Sequence, residues 1–593
     1  MAAQPHPGDP ALHNCAQLAV APIGESSMPP PAAEVDPRSG YCAATKTFHS
    51  LRAPLPLPPA DLPLSFPSFM FSLLPAALPS RPALVDAATG EAVPFPAFLS
   101  GVRALAAALR ARLGISRGDV AFVLAPPGVH VPVLYYALMA VGAVVSPANP
   151  ALTAGEISGL VALSGPSVAF AVKATAGKLP PGLNTVLLDS ARFLSFFHEA
   201  RDEDGTAAGT DVVTHQSDPA AILYSSGTTG RAKAVVLTHR NLMASNATRA
   251  AATVDVLMLA VPLFHVYGFT FCLRVAPSAN TLVLHTARRF DGREVLAAVG
   301  RFGATRLALA PPALLAIVRA AEEEETLIAR VATLQAVNCG GAPLATELFR
   351  RFLHKFPGVC LLQGYGLTET TSGFCRAVGE EESAQIGSVG RLSWGAQAKV
   401  VHPETGVALP PGVPGELWVR GPFVMKGYAG DEDSTSKILD SEGWLRTGDL
   451  CYIDKDGIVF VVDRLKELIK YKGYQVPPAE LESLLQTHPD IDEAAVVPYP
   501  DDQAGELPVA FIVSRSGSNL HEAQIKEFVA KQVVHYKQIH HVFFVNSIPK
   551  NAADSFSVKL KDLFWIPTSV SALVSHEVES LLRSPMAIFP PLI

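Results

Sequence analysis

The chain has 593 residues, more than the roughly 100–200 of one compact domain, so we expect several domains. A hydrophobic content of 49% and a charged content of 17% are typical of a globular protein. The net charge of −7 argues against a nucleic-acid-binding protein, and the seven cysteines lack the paired spacing of a zinc site. The most apolar stretch, residues 120–152, is interrupted by prolines, so we expect no membrane span.

The chain begins with a segment of unusual composition. Residues 1–60 are rich in Pro, Ala and Gly, which predicts a disordered or loosely packed segment. Beyond Pro82 helical and strand patterns alternate. Phe98–Leu113 has apolar residues at helical spacing before Gly114, and Thr153–Glu156 is a capping-box pattern at the start of the next helix. This rhythm predicts an α/β fold with parallel sheets covered by helices.

A polar loop lies between two apolar, strand-like runs, Ala221–Tyr224 and Ala234–Leu237. Backbone amides freed by glycine, short hydroxyls and an ammonium group suit a phosphate chain. The spacing is not that of a Walker A loop. A polar hairpin loop without a ligand is the alternative interpretation. The loop and its flanks supply Ser225, Ser226, Gly227, Thr228, Thr229, Gly230 and Lys233.

The pattern changes twice toward the carboxyl terminus. Gly412–Tyr428 alternates apolar residues with Gly and Pro, which predicts antiparallel strands and a smaller β subdomain. Near Asp463 the chain becomes lysine-rich, and Pro478 predicts the start of a helix, so we expect a linker and a separate small domain. The expected divisions are a loosely packed segment, a large domain, a small domain and an atypical tail, at residues 1–60, 61–463, 464–553 and 554–593.

Six motifs in a fixed order resemble those of the acyl-adenylate-forming (ATP-dependent AMP-binding) enzymes, and most closely their 4-coumarate–CoA ligase-like branch. The similarity runs from about Ser65 to Lys550, with Ala232 and Ala234 standing where the family usually has proline and glycine. It implies a large N-terminal domain of helix-covered sheets with a β subdomain, and a small mobile α+β C-terminal domain. The motifs are SSGTTG with Lys233, PLFHVYG (Pro262–Gly268), CGGAP (Cys339–Pro343), QGYGLTET (Gln363–Thr370), GWLRTGD (Gly443–Asp449) and DRLKELIKYKGYQV (Asp463–Val476).

The resemblance implies ATP-binding roles for residues of these motifs. A carboxylate and the α-phosphate of ATP are both anionic, so positive charge and hydrogen-bond donors must be in place before they react. Thr368 would donate to the α-phosphate, and Glu369 would help to hold Mg²⁺. The other ATP or AMP contacts would come from Ser225, Ser226, Gly227, Thr228, Thr229, Lys233, Gly341, Gln363, Gly364, Asp449, Arg464, Lys466, Lys470 and Gln475.

The resemblance also implies an acyl pocket and a CoA site. A lone histidine in an apolar turn is more often a packed core residue, but His265 within PLFHVYG resembles an aromatic gate that would act in catalysis with Lys470 and Gln475. Phe271 stands where hydroxycinnamate ligases carry a small polar residue. A solvated basic loop is the alternative for the lysines. The acyl pocket would include Tyr267, Phe271 and Gly341, and CoA would meet Arg289, Lys472 and Gly473.

The end of the chain departs most from the family pattern. After Ile548-Pro549-Lys550 the family has a small-residue turn followed by Gly-Lys, whereas Asp554–Val558 replaces that pair here. Lys559 and Lys561 are close but out of register. We therefore expect the lysine that assists adenylation to be absent.

The motifs together predict an ATP-dependent acid–CoA ligase. It would use ATP, Mg²⁺ and coenzyme A to convert a cinnamate-like or fatty/oxylipin acid to its thioester through an acyl-adenylate. The alternatives are a catalytically impaired nucleotide- or acyl-binding paralogue and an enzyme with another acyl acceptor. No nucleic-acid partner is expected, and the oligomeric state stays open. The scattered cysteines fit a reducing compartment and favour the cytoplasm. The peroxisome is the alternative location, although the last residues, Pro591-Leu592-Ile593, are not a Ser-Lys-Leu signal.

Overall fold

The computed structural model describes residues 34–197, 212–225, 232–247, 255–276, 279–287, 289–472, 474–501 and 503–548. The helices are α1 (Phe66–Ser72), α2 (Phe95–Leu113), α3 (His130–Ala140), α4 (Ala154–Ser164), α5 (Lys173–Ala176), α6 (Ala191–Ser195), α7 (His239–Asn246), α8 (Val266–Cys272), α9 (Gly292–Phe302), α10 (Pro311–Glu323), α11 (Thr326–Arg330), α12 (Thr346–Lys355), α13 (Gly379–Ser383), α14 (Glu432–Ile438), α15 (Pro478–Leu485) and α16 (Glu522–Ala530). Short 3₁₀ turns span Leu273–Val275, Thr368–Thr370 and His535–Lys537.

The strands are β1 (Tyr41–Cys42), β2 (Thr47–His49), β3 (Pro82–Asp86), β4 (Ala92–Pro94), β5 (Val120–Leu124), β6 (Val144–Pro147), β7 (Val168–Ala171), β8 (Thr185–Leu187), β9 (Pro219–Ser225), β10 (Lys233–Thr238), β11 (Val256–Leu259), β12 (Thr281–Leu284), β13 (Arg306–Leu309), β14 (Ala336–Cys339), β15 (Cys360–Leu367), β16 (Ser372–Arg376), β17 (Arg391–Leu392), β18 (Gln397–Val401), β19 (Gly415–Arg420), β20 (Gly427–Tyr428), β21 (Leu445–Ile453), β22 (Val459–Arg464), β23 (Ile469–Tyr471), β24 (Tyr474–Val476), β25 (Ile491–Asp501), β26 (Gly505–Ser514) and β27 (His541–Phe544).

A nine-stranded sheet carries three of the motifs. Its order is β17-β16-β15-β14-β13-β11-β12-β3-β4, and the strands from β15 to β3 are parallel. Apolar faces of α9, α10 and α12 cover one side and form a buried cluster with it. PLFHVYG follows β11, CGGAP follows β14 and QGYGLTET ends β15. Carboxyl ends of parallel strands share one edge of a sheet, so these motifs meet there.

A seven-stranded sheet, ordered β20-β10-β9-β6-β5-β7-β8, carries the polar loop. Its strands β9, β6, β5, β7 and β8 are parallel, whereas β9 and β10 form an antiparallel hairpin in which Ser225 pairs with Lys233. Both strands were predicted, and Gly114 ends α2 in the left-handed conformation with φ 67°, also as predicted. The capping box of Thr153 and Glu156 is present as well. The predicted α/β fold of helix-covered sheets is confirmed.

The third sheet is antiparallel throughout, in the order β1-β2-β18-β19-β21-β22. Phe48 of β2 is fully buried in the main core, and His49 pairs with Gln397 of β18. The prediction of loose packing for residues 1–60 is therefore wrong for Tyr41–His49. Strands of two and three residues show no periodicity of their own; β2 is ordered by pairing with β18, and β1 by pairing with β2. Residues 1–33 lie outside the described residues.

The last sheet is smaller and lies in the carboxyl-terminal part of the chain. It runs β24-β23-β26-β25 with β27 beside β26, and α15 and α16 share its core. Pro478 is the first residue of α15, as predicted. The change of sheet falls between Arg464, which ends β22, and Ile469, which begins β23. Among the described residues no helix has the length and apolar character needed to cross a bilayer.

Candidate active site

Glu369 lies at the centre of one polar cluster. Its Oε1 accepts hydrogen bonds of 2.9 Å from the hydroxyls of Ser225 and Tyr428. The ammonium of Lys233 lies 4.4 Å from the centre of the Tyr428 ring, a cation–π contact. The cluster thus joins the two ends of the polar loop to the end of β15. Ser226, Gly227, Thr228 and Thr229 of the predicted phosphate site lie outside the described residues.

The turn that carries Glu369 is held from several sides. The Thr370 hydroxyl donates to the Leu367 carbonyl at 3.1 Å and accepts from the Leu367 amide at 2.8 Å. Thr371 has a φ of 51°, which is unfavourable for a β-branched residue, and its hydroxyl donates to the Phe423 carbonyl at 2.6 Å. Thr368 is buried within the same turn. The backbone that carries Glu369 is therefore fixed, and Ser225 and Tyr428 orient its carboxylate.

Asp449 forms a second polar cluster. It lies on β21 directly opposite Arg464 of β22, and the Arg464 guanidinium approaches its Oδ1 to 3.6 Å. The Tyr365 hydroxyl donates to Oδ2. Burial raises the pKa of Asp449 to about 6, although the nearby Arg464 charge and the Tyr365 hydrogen bond oppose the rise. This carboxylate is therefore buried, oriented and ionised at neutral pH.

CGGAP and QGYGLTET approach each other closely. A Cβ at Gly340 would lie 3.0 Å from the Gly364 carbonyl oxygen, so only glycine fits without a shift. Gly341 has a φ of 88°, and a Cβ there would meet no atom within 4 Å, which indicates open space beside it. The side-chain oxygen of Gln363 is buried without a hydrogen-bond partner among the described residues. A buried acceptor of this kind is costly unless a ligand satisfies it.

PLFHVYG leads into α8. His265 is its N-cap, and its Nδ1 accepts from the Tyr267 amide at 3.3 Å, while burial lowers its pKa. The Tyr267 hydroxyl donates to the Asn338 carbonyl at 2.8 Å, which ties α8 to β14. Phe271 is buried, with its ring edge-to-face on Tyr267 at 4.8 Å and the Arg274 guanidinium 3.6 Å from its centre. These rings form an aromatic wall with one guanidinium against it.

The lysine-rich motif lies mainly in the small sheet. Lys470 is exposed on β23 opposite Gln475 of β24, and its amide donates to Glu506 at 2.7 Å. Lys472 is exposed with a φ of 47°, and its amide donates to the Ala504 carbonyl at 2.7 Å. Gly473 lies outside the described residues.

Two further predicted residues flank the sheets. Lys466 falls in the segment between β22 and β23. Arg289 is exposed in the segment that follows β12 of the nine-stranded sheet.

Two tyrosines of the clusters were not identified from sequence. Tyr365 lies inside QGYGLTET, where its position next to the named Gly364 was a signal that could have been used. Tyr428 lies far along the chain from both Ser225 and Glu369, and no local pattern marks it. Among the described residues no group of three or more His, Cys, Asp or Glu side chains could hold a metal ion unaided.

Comparison with known proteins places the chain in one class, the acyl-adenylate-forming CoA ligases. The chain belongs to the AMP-binding enzyme family: residues 75–429 match that family, and residues 480–554 match the AMP-binding enzyme C-terminal domain. This confirms the predicted family and the predicted acid–thiol ligase activity.

Individual relatives agree with the family match. The chain is 49% identical over 545 residues to 4-coumarate–CoA ligase-like 6 of Oryza sativa subsp. japonica, covering 87% of this chain and 90% of that protein. It is 42% identical to Peroxisomal OPC-8:0-CoA ligase 1 of Arabidopsis thaliana, covering 91% and 100%. The crystal structure of ATP-bound MatB from Rhodopseudomonas palustris is similar with a TM-score of 0.75 and 26% identity, covering 84% and 98%.

Proposed function

We propose that the chain activates an apolar carboxylic acid, such as cinnamate or a medium-chain or oxylipin-type fatty acid, in preference to hydroxylated cinnamates. The observation that carries this proposal is the burial of Phe271 against Tyr267 at the predicted acyl pocket. The Tyr267 hydroxyl already donates to the Asn338 carbonyl. The Phe271 ring itself offers no hydrogen-bond partner, so a phenolic hydroxyl packed against that ring would lose water without compensation from it.

The adenylation step brings a carboxylate to the α-phosphate of ATP. We assign the β- and γ-phosphates to Lys233, the Ser225 hydroxyl and the loop Ser226–Thr229, and the α-phosphate to the Thr368 hydroxyl. These donors would offset charge that accumulates as the two anions meet. The attacking carboxylate would displace pyrophosphate, forming one acyl–phosphate bond and breaking one P–O bond.

The oxygen-bearing side chains of the Glu369 cluster suit Mg²⁺. A hard cation with a strong preference for oxygen is commonly held by one or two carboxylates together with phosphate oxygens. Glu369 supplies one such carboxylate, positioned by Ser225 and Tyr428. The metal when bound would neutralise phosphate charge.

We assign nucleoside recognition to the second cluster. Oδ1 of Asp449 would accept from the ribose hydroxyls, with Arg464 beside it. The buried Gln363 side-chain oxygen would accept from the exocyclic amino group of adenine. Gly341 and Gly364 would allow the backbone to approach the adenylate.

Thioester formation would use the small sheet. We propose a large domain at 61–463 and a mobile domain at 464–553, with Lys466 at the hinge, since hinges absorb rotation in a few residues. His265 would gate the acyl pocket. Lys470 and Gln475 would contact the adenylate, and Lys472, Gly473 and Arg289 would contact CoA.

We place the enzyme in the cytoplasm. The described cysteines are free thiols, and five of the six are buried, which fits a reducing compartment. A fluorescent fusion of the full chain, imaged beside a peroxisomal marker, tests this. Co-localisation with the marker would assign the enzyme to the peroxisome instead.

The deciding experiment is a pyrophosphate-release assay of the full chain over a panel of acids with ATP, Mg²⁺ and CoA. We expect cinnamate or medium-chain acids to exceed caffeate; the reverse order contradicts the acid preference. Calorimetry with ATP–Mg²⁺ tests the phosphate site separately. Equal affinity of the unsubstituted chain and a Lys233→Ala, Thr229→Ala variant would contradict that assignment.

A further inference from the structure

A short segment near the amino terminus crosses the outer strands of the nine-stranded sheet. The Ser50 hydroxyl donates to the Leu392 carbonyl at 3.2 Å, and the Ser50 amide donates to the Ala396 carbonyl at 3.0 Å. Arg52 follows with three bonds of its own. Its Nε donates to the Leu392 carbonyl at 3.2 Å, and its Nη2 donates to the Arg376 carbonyl at 2.9 Å and to Glu382 at 2.7 Å.

One guanidinium thus holds the ends of two neighbouring strands. Leu392 belongs to β17 and Arg376 to β16, and both main-chain oxygens face Arg52. Glu382 of α13 completes the arrangement by accepting from the Val378 amide at 2.9 Å, just after β16. The planar fork of arginine can satisfy several acceptors at fixed angles, which the point charge of lysine cannot do.

The segment held by Arg52 lies directly beside the predicted adenine motif. Arg376 is the register partner of Gly364 on β15. The next residue, Ala377, donates its amide to the Gln363 carbonyl at 2.9 Å. A shift of the β16 end would therefore move the backbone of the two residues assigned to the adenylate. Arg52 therefore influences the position of Gln363 and Gly364 through the single intervening strand β16.

Arg52 is shielded from solvent. Its side chain is only 11% exposed and that of Glu382 14%, so the ion pair is weakly screened by water and salt, and breaking it would leave a buried charge without its partner. The guanidinium also lies 4.9 Å from the centre of the Trp394 ring. Arg38 on the same segment differs, since its side chain is 64% exposed and pairs with Asp456.

We propose that Arg52 is a positioning residue of the nucleotide site, which sets the location of Gln363 and Gly364 by holding the ends of β16 and β17. The inference rests on the proposed nucleoside role of these two residues. It gives residues 50–52 a function in ATP recognition beyond packing on the sheet. Arg52 acts through the strand and does not touch the nucleotide.

Two measurements on the full chain test the proposal. Calorimetry with AMP compares Arg52→Ala and Arg52→Lys with the exposed control Arg38→Ala. Displacing a binding group by a fraction of an ångström weakens its contacts, so we expect about a tenfold loss of AMP affinity for Arg52→Ala. The affinity of Arg52→Lys should lie between that of Arg52→Ala and that of the unsubstituted chain. Arg38→Ala should bind as the unsubstituted chain does.

Hydrogen–deuterium exchange supplies a readout that is independent of nucleotide. The peptide 360–377 should exchange about tenfold faster in Arg52→Ala, while the peptide 505–514 of the small sheet keeps its rate. The proposal is overturned if Arg52→Ala leaves the exchange rate of peptide 360–377 unchanged. It is also overturned if Arg52→Ala binds AMP as tightly as the Arg38→Ala control does. If Arg52→Ala does not fold, Arg52→Lys decides by the same two criteria. An unsubstituted chain that binds no AMP contradicts the proposed function, and the exchange measurement still decides the positioning.

Discussion

The hydroxyl of Tyr365 donates to Oδ2 of Asp449, so one oxygen of this buried carboxylate is occupied by the protein itself. The other oxygen, Oδ1, lies 3.6 Å from the Arg464 guanidinium. The tyrosine orients the carboxylate and leaves Oδ1 to accept from a ligand. Because burial raises its pKa to about 6, this group changes charge within an accessible pH range.

Nucleoside affinity should fall below pH 6. Protonated Asp449 accepts poorly from ribose hydroxyls, and one pH unit below the pKa leaves about a tenth of it ionised, so we expect roughly tenfold weaker binding at pH 5 than at pH 7.5. Calorimetry with adenosine avoids titration of a phosphate group. Asp449→Asn should bind weakly at both pH values. A flat profile for the unsubstituted chain would contradict the assignment.

The same carboxylate should destabilise the fold when it is ionised. Its folded pKa of about 6 lies above the ordinary 3.8, so its favourable contribution is present at low pH and lost as pH rises through 6. A rise of about two pKa units corresponds to at most about 3 kcal/mol, so Asp449→Asn should gain up to that amount at pH 8 and about half of it at pH 5. Urea unfolding at both pH values measures the difference. Equal gains at the two pH values would show that ionisation is not the cause.

Glu369 should control the Mg²⁺ requirement. In Glu369→Gln the amide oxygen can still accept from Ser225 and Tyr428, but the negative charge is gone. Losing a charged ligand should raise the Mg²⁺ concentration needed for half-maximal pyrophosphate release by about 10–100-fold. Glu347→Gln in the first turn of α12, where the side chain is 40% exposed, is the matched control and should change nothing. An unaltered Mg²⁺ curve for Glu369→Gln would exclude it as a ligand.

Phe271 should govern discrimination against phenolic hydroxyls. Phe271→Ser makes room and supplies a hydroxyl partner, so the caffeate-to-cinnamate ratio of kcat/KM should rise about tenfold. The control is Phe290→Ser, the same replacement at a side chain that is 36% exposed. We expect its ratio to stay unchanged. If both variants behave alike, or the ratio is unaffected at Phe271, another residue sets the specificity.

The altered carboxyl terminus should slow the first half-reaction selectively. The replaced Gly-Lys pair would supply a cation only during adenylation, and losing one such donor costs about 10²–10³ in rate. Asp554→Gly with Ser555→Lys restores the pair at its family position. We expect the repaired chain to release pyrophosphate faster but to convert a supplied acyl-adenylate to thioester at the same rate. Equal pyrophosphate release would mean that Lys559 or another group supplies the charge.

Local pattern was enough for much of the architecture and for the family. Hydrophobic periodicity and glycine punctuation gave the strands β9 and β10, the end of α2 at Gly114 and the start of α15 at Pro478. These features depend on neighbouring residues, whose preferences are written in a few positions of the chain. Each of the six motifs is likewise a short local pattern, and their order along the chain identified the adenylate-forming enzymes.

Tertiary structure decided what distant segments do to each other. Tyr428 completes the Glu369 cluster and Arg52 holds β16, yet neither residue carries a local signature, because each acts across a fold that joins remote parts of the chain. The sequence predicted loose packing for the hairpin Tyr41–His49. Its order comes from the pairing of β2 with β18, a distant strand that the local sequence does not reveal. The raised pKa of Asp449 follows from burial, which the composition of GWLRTGD does not encode. Sequence therefore determined the class of chemistry, and packing determined the charge, orientation and support of the groups proposed to perform it.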